Sequence, residues 1–275
     1  MKNAMTVDVE DYFQVSAFES YVKKSQWDKL EHRVANNTQH ILDIFAANDV
    51  KATFFTLGWV AERYPELVKR IVREGHELAS HGYEHIRVTQ QTREQFRQDI
   101  RKTKRLLEDI GGTEIKGYRA ASYSIGRENL WALDVLAEEG HLYSSSIYPV
   151  KHDLYGMPEA PRFVFQPIAG SDFKEIPITT LKVSNKNYPC GGGGFFRLYP
   201  YAFSRWAFKR TNNTENQSGI FYFHPWEIDP EQPRQENLAF KAKFRHYLNL
   251  HRMESRIKSL LTDFEWDTMQ AIFLK

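Results

Sequence analysis

The sequence contains a single cysteine, Cys190, among its 275 residues. A lone thiol excludes an intrachain disulfide, so nothing in the sequence requires an oxidising compartment. No apolar run approaches the roughly 20 residues that a transmembrane helix needs. The first residues lead directly into Met5-Thr6-Val7-Asp8-Val9, which has the pattern of a strand rather than that of a secretory signal. These absences lead us to expect a cytoplasmic chain without a membrane span.

Charge of one sign is not in excess either, because 37 Lys and Arg residues stand against 35 Asp and Glu residues, for a net charge of +2. This balance excludes a broad nucleic-acid-binding surface. Two basic stretches, residues 101–105 and 241–256, lie on predicted helices. A solvated helix face is the simpler interpretation of each stretch, and weak contact with a membrane surface or an anionic ligand is the alternative.

Apolar residues make up 41% of the chain and charged residues 26%, which suits the core of one α/β barrel. Short β-rich segments alternate with longer segments of helical period, and this alternation predicts a parallel sheet. The predicted strands are residues 5–9, 52–57, 77–80, 117–121, 142–147, 175–180 and 220–223. The predicted helices are residues 33–47, 65–74, 93–110, 129–139, 202–209 and a C-terminal helix over 238–261. Seven strands in this alternation indicate a distorted or incomplete barrel.

Two segments interrupt the alternation. Residues 148–174 contain prolines among aromatic residues and form a predicted loop insertion. Residues 184–200 include four consecutive glycines, 191–194, but lack the lysine of a phosphate-binding loop. We therefore expect a substrate-side loop or a connector there. The expected organisation is a single domain over 1–275, with a barrel core over 5–230 and a helical extension over 231–275.

Carboxylates and imidazoles follow the first and third predicted strands. Asp8, Glu10 and Asp11 would repel one another unless a cation or hydrogen-bond donors compensated, although an acidic turn in water would also tolerate them. His81 and His85 can meet one ion if their segment forms a helical turn, and a surface pair is the commoner origin of this spacing. The residue after His81 is not glutamate, which disfavours a zincin protease. Two imidazoles and a carboxylate would suit a borderline cation such as Zn²⁺.

Arg119 lies within the fourth predicted strand, and His224 directly follows the last one. Arg119 could hold an active-site carboxylate through paired hydrogen bonds, or form an ordinary ion pair. His224 leaves an apolar strand beside Trp226, where a general acid is the alternative to a satisfied core histidine. All of these groups lie near the carboxyl ends of different predicted strands, which share one face of an α/β barrel. The sequence therefore predicts one polar site at that face.

These motifs resemble those of the polysaccharide deacetylases, also called the NodB-homology or carbohydrate esterase family, over residues 5–230. The branch associated with exosortase and exopolysaccharide loci is the most similar. It opens with a strand like residues 6–13, carries a glycine-rich stretch like 191–197 and closes on His-Pro-Trp-Glu, as at 224–227. The resemblance implies an α/β fold, a distorted (β/α)₇ barrel with loop insertions and a C-terminal helix. It also implies a divalent metal, with Zn²⁺ expected first and Co²⁺, Ni²⁺ or Mn²⁺ as alternatives.

The resemblance also implies roles for the acidic residues of the first strand. Asp8 matches the general base of the family. Val9 occupies the position of the family's metal-binding aspartate, so Glu10 or Asp11 must supply that ligand, and Glu10 is the first choice.

The remaining motifs are carried over in the same way. His81 and His85 match the metal-binding histidines, Arg119 matches the arginine that orients the base, and His224 matches the general acid. Ser144 stands where the branch usually has an aspartate, which leaves Arg119 and His224 without an expected partner.

Three aromatic residues are expected to contact the substrate. Tyr123 lies where a backbone amide of the family helps to bind the oxyanion, and Trp226 and Tyr12 are candidates for the acetyl pocket or for sugar stacking. The implied reaction is removal of N-acetyl groups from amino sugars of a polysaccharide or of its lipid-linked precursor, in exopolysaccharide synthesis. The expected partner is an acetylated amino-sugar glycan, met in the cytoplasm at the inner face of the membrane. An amidohydrolase on a small amide and a catalytically impaired glycan-binding relative are the alternatives.

Overall fold

The structure is a computed structural model that describes residues 1–152, 155–235 and 238–274. In these residues the strands are β1 (Lys2–Val9), β2 (Thr53–Thr56), β3 (Glu77–Ser80), β4 (Gly117–Tyr118), β5 (Tyr143–Ser144), β6 (Lys174–Glu175), β7 (Thr180–Val183), β8 (Lys186–Pro189), β9 (Ile220–Phe223) and β10 (Glu265–Asp267). The helices are α1 (Val34–Ala47), α2 (Gly58–Arg63), α3 (Pro65–Arg73), α4 (Arg93–Gly111), α5 (Trp131–Glu138), α6 (Gly193–Leu198), α7 (Tyr201–Asn213), α8 (Phe240–Tyr247), α9 (Met253–Asp263) and α10 (Met269–Phe273).

A curled parallel sheet forms the centre of the molecule, with strand order β9-β1-β2-β3-β4-β5-β6. β10 extends it by pairing with the first residues of β1, and β7 and β8 form a separate antiparallel hairpin. Within the described residues no pairing joins β6 to β9, so the ring of strands stays open. The α/β class and the distorted (β/α)₇ barrel predicted from the sequence are confirmed.

β1 is the central strand, with β2 on one side and β9 on the other. Its side chains alternate between two faces, as strand geometry requires. Met5, Val7 and Val9 belong to the large apolar cluster between the sheet and its helices. Ala4 belongs to the cluster inside the barrel, and Asp8, an even number of residues further on, faces the same way. The alternation therefore directs Asp8 into the barrel at the end of the central strand.

The C-terminal region differs from the predicted elements. The single helix expected over 238–261 is wrong, because Asn249 adopts a left-handed φ of 53° and separates α8 from α9. Residues 184–200 hold most of the β7–β8 hairpin and α6 rather than a plain loop, whereas residues 148–152 and 155–173 contain no helix and no named strand. No helix in the described part of the chain is long and apolar enough to cross a membrane.

Candidate active site

Most of the predicted polar groups line one cleft of about 450 Å³ at the carboxyl ends of the strands. Asp8 lies at the end of β1, His81 follows β3 directly, and His224 follows β9 directly. The cleft walls also include Glu10, His85, Tyr123, Phe195, Leu198, Trp226 and Phe244. Arg119 follows β4 and lies behind the wall, without exposed surface.

A buried ion pair joins Asp8 to Arg119. Nη1 of Arg119 donates to Asp8 Oδ1 over 2.6 Å and to Thr6 Oγ1 over 2.8 Å. Nε and Nη2 donate to the carbonyl oxygen and to Oγ of Ser145, and the guanidinium carbon lies 4.0 Å from the ring centroid of Phe55. The buried guanidinium fixes the orientation of the Asp8 carboxylate, which can act as a hydrogen-bond acceptor or as a base.

Glu10, His81 and His85 form what we call the ligand trio, because one atom from each lies within 4.8 Å of the other two. Nδ1 of His81 lies 2.8 Å from the carbonyl oxygen of Arg119 and therefore carries the hydrogen, which leaves the Nε2 lone pair for the trio. Oε2 of Glu10 is buried and accepts no hydrogen bond, although His85 Nε2 lies only 2.9 Å away. Two imidazoles and an orphaned carboxylate oxygen at such distances fit a divalent cation.

The protonation states of the trio suit a cation. Burial alone would raise the pKa of Glu10, but the imidazoles of His85, His224 and His81 lower it to about 2. Burial lowers the pKa of His81 to about 4. At neutral pH Glu10 is therefore ionised and His81 neutral, the forms that metal binding requires.

A loop, and not a helical turn, brings the two imidazoles of the trio together. Gly82 and His85 adopt left-handed φ values of 74° and 52°, which no helix contains. The first two amides of α2 donate to the carbonyl oxygens of residues 82 and 83 and hold the loop in place. The helical turn that would let residues 81 and 85 meet one ion is therefore absent, yet the two ring centroids lie 5.2 Å apart.

His224 places a third imidazole next to the carboxylates. Its Nε2 lies 3.4 Å from Glu10 Oε1 and 4.0 Å from Asp8 Oδ2, and its Nδ1 lies 2.8 Å from Glu227 Oε1. Burial alone would lower the pKa of His224, but Glu10, Glu227 and Asp8 raise it to about 9. A protonated imidazole thus faces the same space as the trio and Asp8.

Asp11 is a predicted site residue that the structure does not bring to the trio. Its Oδ2 accepts hydrogen bonds from the backbone N–H groups of Arg33 (2.8 Å) and Val34 (3.0 Å), and its Oδ1 accepts one from that of Tyr12 (2.9 Å). Arg33 and Val34 begin α1, whose free amides attract a carboxylate. Burial, opposed by these hydrogen bonds, raises the pKa of Asp11 to about 6. The alternative of Asp11 as a ligand is corrected, and Glu10 is the carboxylate available to a cation.

Two aromatic residues expected at the substrate are also placed differently. Tyr12 is 1% exposed, packs in the apolar core and does not line the cleft. Trp226 lines the cleft, but its indole is 6% exposed because the imidazoles of His224 and His246 stack on it, with centroid distances of 5.1 and 4.1 Å. Trp226 therefore supports His224 and has little ring face left for a sugar.

Tyr123 lines the cleft, as expected, but its backbone does not offer a free donor. Its N–H group donates to the carbonyl oxygen of Ala120 over 3.0 Å. The expectation that this amide is ready to bind an oxyanion is therefore not met. The ring is 4% exposed and packs against Tyr222, with a centroid distance of 4.9 Å.

The residues that support His224 were missed in the sequence. Glu227 contacts His224 Nδ1 through Oε1 and accepts a hydrogen bond from Arg197 Nε through Oε2 over 2.7 Å. Ser144 supplies no carboxylate to Arg119 or His224, as expected, but Arg119 pairs with Asp8 and His224 contacts Glu227 instead. The three-residue spacing of His224 and Glu227 was the sequence signal that could have indicated their contact. Arg197 lies 30 positions before Glu227 and gave no such signal.

The chain matches two family models, one in each half. Residues 26–140 match the model described as polysaccharide deacetylase, and residues 145–274 match a domain of unknown function. A peptidoglycan-N-acetylglucosamine deacetylase of Bacillus cereus is 38% identical over 98 residues, or 35% of this chain and 36% of the relative. A Listeria monocytogenes protein of the same name is 28% identical over 160 residues, or 55% of this chain and 34% of the relative. The match thus spans about a third of the length of each relative.

Solved structures share the fold. A protein assigned as a polysaccharide deacetylase from Mycobacterium smegmatis has a TM-score of 0.61 at 18% identity, over 98% of this chain and 89% of that chain. Puue allantoinase has a TM-score of 0.60 at 14% identity, over 98% and 88%. A pseudoenzyme of the CE4 family from Bacillus anthracis has a TM-score of 0.51 at 14% identity, over 98% and 64%. The family model and the relatives agree, and the solved structures share the fold: the chain contains a polysaccharide deacetylase domain, matched over residues 26–140.

Proposed function

We propose that the chain is a metal-dependent hydrolase that removes N-acetyl groups from amino sugars of a polysaccharide or of its lipid-linked precursor, in exopolysaccharide synthesis. The observation that carries this proposal is the meeting of the ligand trio, Asp8 and His224 at one cleft. A cation site, a base and an acid are the parts that hydrolysis of an amide needs.

The chain's own groups have separate tasks in this reaction. The ligand trio would hold the divalent ion, for which Zn²⁺ is our first expectation, and the ion would supply Lewis acidity toward the acetyl carbonyl. Asp8 takes the proton of the attacking water, and Arg119 orients this carboxylate through its hydrogen bond to Oδ1. His224 carries a proton at Nε2 and delivers it to the departing sugar nitrogen, because an unprotonated amine is a poor leaving group.

The proposed substrate unit is an N-acetylated glucosamine. The two curated relatives are named for N-acetylglucosamine in peptidoglycan, which supports this sugar but not a particular polymer. Leu198 and Phe244 on the cleft wall are 44% and 48% exposed. Exposed apolar side chains at a cleft of this size suit the face of a sugar ring or part of a lipid chain.

Metal analysis combined with acetate release tests the proposal. The metal-loaded chain should release acetate from acetylated glucosamine oligomers or lipid-linked sugars. His81→Ala should lose the metal, and Asp8→Asn should keep it but lose about 10²-fold or more in rate, the scale of general-base loss. Stoichiometric metal in His81→Ala, or no acetate from any acetylated glycan, would contradict the proposal.

The two alternatives make different predictions in the same assays. An amidohydrolase should act on a small amide such as allantoin and release no acetate from glycans. An impaired glycan-binding relative should release nothing from either substrate. Val9 and Ser144 favoured impairment in the sequence, but Glu10 offers the carboxylate that Val9 lacks, and Glu227 contacts His224 although residue 144 is a serine.

The surface next to the cleft supports a location at a membrane. In α8, Phe240 is 83% exposed, and its ring stacks on that of Phe244 with a centroid distance of 6.3 Å. Residues 238–252 contain four cations, Lys241, Lys243, Arg245 and Arg252, and no carboxylate. Exposed rings among cations are typical of helices that lie on anionic lipid. We propose that α8 rests on such a surface, where a lipid-linked substrate would be presented; a position at the inner membrane face stays a prediction.

Liposome flotation tests this location. The chain should float with vesicles that contain phosphatidylglycerol and should not float with pure phosphatidylcholine. Phe240→Ser should weaken binding by roughly 10-fold or more, because it removes about 1.5–3 kcal/mol of apolar burial. Val183→Ser, at an apolar residue with 45% exposure on the β7–β8 hairpin, is the matched control. Equal flotation of both variants, or of wild type with both lipids, would contradict the proposal.

A further inference from the structure

We infer that Glu227 is the positioning residue that orients His224, and that Arg197 holds Glu227 in place. The inference rests on the proposed function, because the acid role of His224 comes from there. It assigns a task to the C-terminal segment, residues 145–274, which matches a domain of unknown function and contains all three residues.

Both oxygens of Glu227 are engaged, which leaves its carboxylate one orientation. Oε1 lies 2.8 Å from Nδ1 of His224 and accepts the backbone N–H of the same residue over 3.1 Å. Oε2 accepts a hydrogen bond from Arg197 Nε over 2.7 Å. A carboxylate only accepts hydrogen bonds, so Nδ1 of His224 must carry a hydrogen. The proton that leaves during the reaction is then the one on Nε2, and Nε2 is the atom that faces Glu10 and Asp8.

Arg197 is itself fixed from several sides. It is 2% exposed, and its guanidinium donates to the carbonyl oxygens of residues 245, 246 and 248, where α8 ends. Its guanidinium carbon lies 5.4 Å from the ring centroid of Trp226. Burial alone would raise the pKa of Glu227, but Arg197 and His224 lower it. Arg197 therefore favours the charged form of the buried carboxylate through Oε2, and the other oxygen, Oε1, contacts His224.

The glycine run makes room for this arrangement. A Cβ on Gly193 would lie 2.3 Å from Glu227 Oε1, and a Cβ on Gly192 would lie 2.5 Å from the ring of Tyr222. Ser144, at the position where an aspartate partner was expected, donates its hydroxyl to Ser146 and offers His224 no charge. The absence of side chains in the glycine run therefore leaves the space that the Glu227 carboxylate occupies.

Glu227→Gln is the variant that tests the inference, because it keeps the shape of the side chain and removes its charge. The amide nitrogen competes for the position next to Nδ1 of His224, so the ring loses its fixed tautomer. We expect kcat for acetate release to fall by about 10²–10⁴-fold with KM and metal content within about twofold, by analogy with the loss of an orienting carboxylate behind a catalytic histidine. Glu215→Gln is the control. It removes one partner of another ion pair, Arg162–Glu215, that does not line the cleft, and its kcat should stay within about twofold of the wild-type value.

A double variant separates positioning from a structural role. If Glu227 acts through His224, then adding Glu227→Gln to His224→Ala should lower kcat no further, because residues that act as a unit are not additive. A purely structural ion pair predicts the opposite, namely a further loss in the double variant. Unchanged kcat in Glu227→Gln alone would also overturn the inference.

Nitrogen NMR of the His224 ring gives a readout that does not depend on activity. The wild type should show hydrogen on Nδ1 in both neutral and protonated rings, and Glu227→Gln should shift the neutral ring toward hydrogen on Nε2. If the wild type releases no acetate but shows this pattern, the proposed function fails while the orientation of His224 by Glu227 stands. A wild-type neutral ring with hydrogen on Nε2 would overturn the inference even in an active enzyme.

Discussion

The separate roles of two neighbouring carboxylates, Glu10 and Asp11, can be tested with one pair of variants. Glu10 Oε2 is buried without a hydrogen bond beside His85, whereas both oxygens of Asp11 accept backbone N–H groups. We therefore expect Glu10→Gln to lose metal and keep the start of α1, and Asp11→Ala to lose stability and keep metal. Each variant is the control for the other.

The expected loss for Asp11→Ala follows from its three hydrogen bonds. The variant leaves three N–H groups without an acceptor, at about 1–3 kcal/mol each. Removing the buried carboxylate also stabilises the folded state by up to about 3 kcal/mol. The pKa of Asp11 is raised from 3.8 to about 6, and each pKa unit corresponds to about 1.4 kcal/mol. A net loss of about 3 kcal/mol should lower the melting temperature by roughly 6–12 °C in a chain of this size.

The expected loss for Glu10→Gln appears in the response to metal. At a metal concentration of 100 times Kd, binding stabilises the wild type by about 2.7 kcal/mol. Removing a ligand should weaken binding by more than the roughly 10–100-fold caused by changes outside the ligand shell. At the same metal concentration, a site weakened about 100-fold would gain only about 0.4 kcal/mol.

Thermal unfolding with and without added Zn²⁺, together with metal analysis of the purified variants, measures both effects. The metal-dependent rise in melting temperature should be the same in Asp11→Ala as in the wild type and nearly absent in Glu10→Gln. A folded Asp11→Ala protein without this rise, or Glu10→Gln with stoichiometric metal, would refute the assignment of Glu10 as the ligand.

Three further predictions concern stability. Gly193→Ala should lower the free energy of unfolding in denaturant by roughly 1–3 kcal/mol, because its Cβ overpacks against Glu227. Gly194→Ala, whose Cβ would meet nothing within 4 Å, should change it by less than about 0.5 kcal/mol. Equal effects of the two variants would contradict this packing. Ser144→Asp should destabilise the folded chain by roughly 3–5 kcal/mol, because it adds a carboxylate beside the buried Glu175. Burial already raises the pKa of Glu175. An unchanged melting temperature would show that residue 144 tolerates the charge. The raised pKa of Asp11 contributes stability that is present below about pH 4 and is lost as pH rises through about 6. Between pH 4 and 7 the free energy of unfolding of the wild type should therefore fall by up to about 3 kcal/mol relative to that of Asp11→Asn. A stability difference that does not change with pH would contradict the raised pKa.

The barrel and the position of its polar site could be predicted because both depend on strand patterns. The alternation in β1 directs Asp8 into the barrel, and polar residues directly after apolar strands mark one face. Past Val9 the chain leaves the sheet and the alternation no longer applies. The different directions of Glu10 and Asp11 depend on where α1 begins, and this could not be read from the spacing of the acids.

The support of His224 could not be predicted for a related reason. Trp226 looks like an aromatic residue available to a ligand, but the packing of His246, from a distant helix, covers its ring. Arg197 follows a glycine run that resembles a flexible loop, and only the close approach to β9 and Glu227 shows why glycine is needed there. Contacts between segments 20 to 50 residues apart leave no periodic pattern in the sequence.

Neither of the two matched segments contains the complete candidate site. The segment 26–140 supplies His81, His85 and Arg119, and the segment 145–274 supplies His224 with its support. Asp8 and Glu10 precede both, Asp8 on the strand that pairs with β2 of one segment and β9 of the other, and Glu10 one residue past its end. Because β1 joins the halves, Asp8 Oδ2 lies 4.0 Å from His224 Nε2 although 216 positions separate the two residues. The match to residues 26–140 therefore includes neither Asp8 and Glu10 nor His224, and any variant that shifts β1 against β9 should affect all three residues together.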